Sequence, residues 1–143
     1  MDGQPLDPWR GLPEVTVEAG VERLAALVLL LTCLSHITAP AAWAALFERI
    51  AKSEAPGLAN AAIHLPLGLM LVAFHNIWSG PAIAFTIIGW ALLVKGALQL
   101  LFPQVAARSL GFAGTGEEAE RRYRLAGVIM TPLASVLTWM AFR

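Results

Sequence analysis

The amino-acid sequence predicts an all-α integral membrane protein, a four-helix bundle with an amphipathic surface helix after the first span. Three observations carry this expectation. Of 143 residues, 57% are hydrophobic and only 14% charged, where a soluble domain carries about a quarter charged. The charges are confined to short stretches between long apolar blocks, the pattern of repeated membrane spans. Four such blocks approach the roughly 20 apolar residues a helix needs to cross a bilayer. The whole chain reads as one transmembrane domain.

The first span is placed at about 17–39, with its apolar part (LAALVLLLTCLSHITA) at 24–39. That part is short for a span, so the helix should begin upstream, where Pro13 suits a first-turn position. Residues 1–10 contain Asp2, Asp7, Pro5 and Pro8 instead of the basic start of a cleaved signal. The first span is therefore expected to remain in the protein.

An interfacial helix is expected at 40–54. Pro40 opens it, and Trp43, Leu46, Phe47 and Ile50 recur at i, i+3, i+4 and i+7, while Glu48, Arg49 and Lys52 fall elsewhere. Such a one-faced helix lies naturally flat on a membrane. The alternative is a helical extension of the first span, with Pro40 as a tolerated kink.

The second and third spans are placed at 58–78 and 81–102. Ser79-Gly80-Pro81 joins them too tightly for anything but an antiparallel hairpin. A polar connection follows at 103–122, made flexible by Gly111, Gly114 and Gly116. No strand precedes these glycines, which rejects a phosphate-loop reading. Residues 117–124 read as solvated first turns leading into the fourth span at 123–142. There Gly127-x-x-x-Thr131, Ala134 and Thr138 form a small-residue seam suited to close helix packing. Pro66 and Pro132 interrupt the hydrogen-bond ladder within the second and fourth spans. Trp43, Trp78 and Trp139 sit near expected interfaces, whereas Trp90 is a mid-span packing residue.

Four spans put both termini on one side. Arg10, Arg23 and Arg143 lie in the terminal segments, and Arg49, Lys52, Arg108, Arg121, Arg122 and Arg124 in the two long connections. This bias favours cytoplasmic connections and external termini. The formal net charge is zero, so no basic field points to nucleic acid. Cys33 is the single cysteine, which excludes an internal disulfide and any CxxC motif.

Polar side chains within spans are costly and become the functional candidates. On the second span Asn60, His64 and His75 share a stripe; on the first, Glu18, Glu22, Cys33 and His36 do so. Because these helices run antiparallel, Glu22 should meet His75 near the external end, and His36 should approach Asn60 and His64 at the cytoplasmic end. On the third span Lys95 and Gln99 lie one turn apart, at the depth of His64 and Asn60, with no acidic residue at that depth. An ammonium so placed snorkels, bonds neutral groups or binds an anion such as a lipid phosphate. The candidate ligand site is Asn60, His64, Lys95, Gln99 and His36. The competing reading is structural, since such side chains commonly knit helices together.

No cofactor is predicted. Two sharper alternatives remain open: a metal at Glu18, Glu22 and His75, or one haem between His36 and His64. His64 and His75, about 16 Å apart on one helix, cannot clamp a single haem. No catalytic residue is assigned. Cys33 lies mid-span in apolar surroundings and Ser35 lacks an acid–base pair.

At His75-Asn76-x-Trp78, Gly89-Trp90, Lys95-Gly96 and Pro103 the hairpin resembles small uncharacterised four-helix membrane proteins of bacteria. The resemblance covers roughly the middle third and implies a bacterial inner-membrane setting, with no activity attached. Patterns of small multidrug exporters, fluoride channels and disulfide-forming membrane enzymes are not matched.

The expected function is that of a non-enzymatic accessory subunit, or a binder of lipid or a small anion within the bilayer. The alternatives are a small oligomeric channel or transporter using Pro66 and the polar stripe, and a haem- or metal-binding redox protein. Expected partners are the lipid bilayer, an anionic lipid, and further copies of the chain or a larger membrane complex, without nucleic acid.

Overall fold

The structure, a computed structural model, describes residues 15–112 and 114–143. Among these residues there is no strand. The chain forms α1 (Val17–Thr38), α2 (Pro40–Ala51), α3 (Pro56–Phe74), α4 (Ile83–Leu101), α5 (Pro103–Phe112) and α6 (Gly116–Ala141). Helices α3, α4 and α6 are each long and apolar enough to cross a membrane, and α1 with α2 adds a fourth if that bent pair is one span. The exterior agrees with a lipid environment. Leu31, Leu69, Leu101, Ile129 and Val136 are all more than half exposed, and an apolar surface of this extent would aggregate in water.

Helix α1 starts where Thr16 accepts a hydrogen bond from the Ala19 N–H at 3.2 Å, satisfying one of the free donors of the first turn. The upstream start expected at Pro13 lies outside the described residues. The helix ends at Ala39 because Pro40 has no N–H to continue the ladder. Helix α2 then leaves at 103° to α1, so it is not a straight continuation of that helix. Aromatic packing holds this elbow. His36 stacks on Trp43 with ring centroids 4.3 Å apart, and Trp43 Nε1 donates to Ser35 Oγ at 2.9 Å. Phe47 stacks on Tyr123 of α6 at 5.5 Å.

Helix α3 passes through Pro66 and stops at Phe74, four residues short of the expected 78. His75 is extended (φ −140°, ψ 90°), and its ring is occupied by groups from α1 and α4. Gly80, at φ +59°, supplies the left-handed conformation that tightens the following turn.

Two helix pairs pack closely, α3 with α4 and α1 with α6. Glycines set both seams. A Cβ on Gly68 would lie 2.6 Å from Leu93 N, and one on Gly89 would lie 2.6 Å from Leu71 Cβ. On α6 a Cβ at Gly127 would lie 2.8 Å from Cys33 O. In lipid such close backbone approach replaces the hydrophobic driving force available in water. The Gly127 seam lies where the sequence places it, with Ala134 buried and Thr138 Oγ1 3.4 Å from Ala26 O. The pairs meet chiefly through α1 and α3. Between α4 and α6 an apolar cleft of about 230 Å³ opens, with Leu29 and Cys33 of α1 at its base.

The connection expected to be flexible at 103–122 is largely helical. Pro103 opens α5, and Ala106 and Leu110, one turn apart, are buried where α5 packs on α3 and α4. Residues 117–124 do form the first turns of α6, with Arg122 paired to Glu118 at 2.6 Å.

Candidate functional site

Polar side chains gather at both ends of α3. At its C-terminal end His75 has no exposed surface. Its Nε2 lies 2.7 Å from Glu22 Oε1 on α1, and its Nδ1 lies 3.3 Å from Thr86 Oγ1 on α4. The Thr86 hydroxyl donates to Ile77 O at 2.8 Å and accepts from Ile77 N–H at 3.1 Å.

This meeting of Glu22 and His75 is the one the antiparallel first and second spans predict. Glu22 also borders a shallow opening with Pro81, Met140 and Arg143. The third member of the expected metal set does not join them. Among the described residues no three His, Cys, Asp or Glu side chains gather in a metal-binding group, and Glu18 is exposed.

At the opposite end, α2 to α6 border a half-open, mainly apolar chamber of about 150 Å³ lined by Phe47, Asn60, Lys95, Gln99, Ser109, Leu110 and Tyr123. Asn60 and Gln99 are 3% and 2% exposed, and the oxygens Asn60 Oδ1 and Gln99 Oε1 have no hydrogen-bond partner. A buried polar atom left unpaired costs about 1–3 kcal/mol; these two oxygens have essentially no accessible surface and do not face the open space of the chamber. Gln99 Nε2 reaches Ser109 Oγ at 3.3 Å, and that hydroxyl donates to Ala106 O at 2.9 Å.

Lys95 stands at the edge. The other lysine, Lys52, is paired with Glu48 one helical turn away at 2.5 Å. Among the described residues no carboxylate pairs with Lys95. Lys95, Gln99 and Ser109 also line a second space, an apolar groove of about 330 Å³ between α4 and α5, with Ala91, Val94, Leu98 and Val105. Lys95, Gln99 and Ser109 therefore form the wall that the chamber and the groove share.

The structure thus brings together three of the five expected ligand residues: Asn60, Lys95 and Gln99. His64 is not on the chamber wall. Its Nδ1 donates to Asn60 O at 2.9 Å, a bond within its own helix. His36 likewise donates to Thr32 O at 2.7 Å and is covered by Trp43. Ser109 and Tyr123 are contributors that sequence reasoning missed. Ser109 lies in the segment whose glycines predict a flexible connection, although Val105, Ala106, Ser109 and Leu110 carry a helical spacing. Tyr123 falls at the start of the last helix, among residues whose charges read as solvated.

Comparison of the chain with protein-family models, curated proteins and solved structures finds no match.

Proposed function

We propose that the protein is a four-helix bundle of the bacterial inner membrane that binds an anionic lipid, with Lys95 holding the phosphate. The helices that bear the long connections then face the cytoplasm at this end, and the termini lie outside. The observation that carries the reading is the position of Lys95 at the junction of the chamber and the groove. Both spaces are mainly apolar and their shared wall carries the polar residues Lys95, Gln99 and Ser109, which suits an amphiphile with its charged group at that wall. The cation between them, with no carboxylate to neutralise it, calls for a negative charge at the joint. Lys95 lies within the last two turns of α4, and lysines near helix ends reach for lipid phosphates.

Nothing in the chamber is arranged for bond making. It holds an ammonium, two amides, a serine hydroxyl bonded to its own helix and a phenol, without a nucleophile–base pair. Binding is the activity such a lining supports. Whether the chain acts alone or as a subunit, the site would fix one lipid between α4 and α5.

Native mass spectrometry of gently extracted protein tests this. A phospholipid with a net negative charge should stay bound to the wild type and to Lys52→Met, and be lost from Lys95→Met. An unchanged lipid profile in Lys95→Met would remove the proposal.

A further inference from the structure

We infer that one acyl chain of the lipid held at Lys95 runs past Ala91 and lies in the apolar cleft between α4 and α6, over Leu29 and Cys33 of α1. This deepens the lipid-binding reading and rests on it.

The cleft continues the groove beside Lys95. Ala91 lines both spaces, with Val94 and Leu98 on the groove side and Ile88 and Leu92 on the cleft side. Together with Lys95 these positions recur at three and four residues, so they follow one another along one side of α4. Met130, Ala134 and Leu137 give α6 a facing row of the same spacing. Helices α4 and α6 are not one of the closely packed pairs. The space between their rows is therefore half-open to the bilayer, and α1 closes its floor.

Chemistry, depth and size name the occupant. Every side chain on the cleft is hydrocarbon except the thiol of Cys33 and the thioether of Met130. A headgroup entering it would lose its water without compensation, whereas a hydrocarbon chain loses nothing. Lys95 stands within the last two turns of α4, roughly 9 Å along the axis from Leu101. A phosphate drawn in to it lies deeper than those of the surrounding lipid, so its chains reach further across the bilayer. Leu92, the midpoint of α4, lines the cleft at the depth they reach. The cleft measures about 230 Å³. A cavity of roughly 150 Å³ takes the six carbons of benzene, so in proportion this one takes about nine carbons of a chain.

The test is photolabelling in vesicles, using phosphatidylglycerol or phosphatidylcholine with one acyl chain that carries a mid-chain diazirine, and mass spectrometry to place the adducts. With the phosphatidylglycerol probe, adducts on Leu29, Leu92 and Leu133 of the cleft should exceed severalfold those on Leu31 and Leu69, which are exposed elsewhere. Comparing leucines with leucines cancels side-chain reactivity. The phosphatidylcholine probe should show no such excess. Ala91→Trp sets an indole at the junction, where the exposed position leaves room for it to fold, and should abolish the excess, as should Lys95→Met. Leu69→Trp puts the same ring on the exposed face of α3 and should keep it. An even spread of adducts, with phosphatidylglycerol still retained through Lys95 in native mass spectrometry, would overturn the chain inference and leave the anionic-lipid site standing. An excess that phosphatidylcholine matches, or that survives Ala91→Trp or Lys95→Met, would show that bilayer chains fill the cleft unaided and would likewise overturn it. Absence of any Lys95-dependent retention would remove the lipid reading and the inference with it.

Discussion

His75 Nε2 and Glu22 Oε1 lie 2.7 Å apart although 53 residues separate them in the chain. Their contact ties α1 to the α3–α4 hairpin at the end opposite the chamber, and Thr86 completes it from α4. A polar link there compensates for limited packing, because the two helix pairs meet mainly through α1 and α3.

Removing one partner should cost more than removing both. Glu22→Leu leaves the wholly buried His75 ring without its acceptor, and His75→Leu leaves the carboxylate unpaired. Each should lower stability by about 1–3 kcal/mol, less than a fully desolvated ion pair because the Glu22 side chain is 18% exposed. The double variant should recover part of the loss, since apolar groups are at home among α1, α3 and α4. Reversible unfolding in mixed micelles measures this. Additive losses in the double variant would show that the two side chains are not coupled.

The glycine seams predict a contrast between two alanine substitutions. Gly68→Ala drives a Cβ to 2.6 Å from backbone atom Leu93 N, which cannot yield without moving α4. It should destabilise by about 1–3 kcal/mol, as overpacking does. Gly20→Ala meets nothing within 4 Å and should be neutral or stabilise by up to about 1 kcal/mol through helix propensity. Thermal unfolding in one detergent ranks the pair. Equal midpoints would argue against the tight α3–α4 seam.

Much of this architecture was legible in the sequence, because the spacing of apolar blocks is set by bilayer thickness and survives any detail of packing. The Glu22–His75 contact followed from helical arithmetic on two antiparallel spans. Other features were hidden for physical reasons. The early end of α3 depends on His75 leaving the helix to bond across to Glu22 and Thr86, which no local propensity records. Helix α5 was masked by its glycine and by its charge, although Ala106 and Leu110 marked its inner face. For the site, Asn60, Lys95 and Gln99 could be grouped by depth, but depth alone also admitted His64 and His36. Rotation about the helix axis, fixed only by packing, turned those two rings to carbonyls of their own helices.

Membrane orientation has its own test. Ser79 lies in the turn between α3 and α4, and Ser53 follows α2 at the other end. With Cys33 replaced by Ala, Ser79→Cys should react with a membrane-impermeant maleimide in intact cells whose outer barrier is opened. Ser53→Cys should react only once the inner membrane is broken. The reverse pattern would invert the proposed topology and place the Lys95 chamber outside.

The central claim concerns one atom, Lys95 Nζ. The sequence has two lysines, Lys52 and Lys95, so a Lys52→Gln chain labelled with ¹⁵Nζ-lysine reports Lys95 alone. Lys52 makes only an exposed pair with Glu48, whose loss should change stability little. In bilayers containing anionic phospholipid, solid-state ¹⁵N–³¹P dipolar dephasing should place a phosphorus about 4 Å from Nζ, as a hydrogen bond of about 2.8 Å to a phosphate oxygen requires. An Nζ signal that shows no dephasing by phosphorus would mean that Lys95 holds no phosphate, and the lipid-binding account would fall with it.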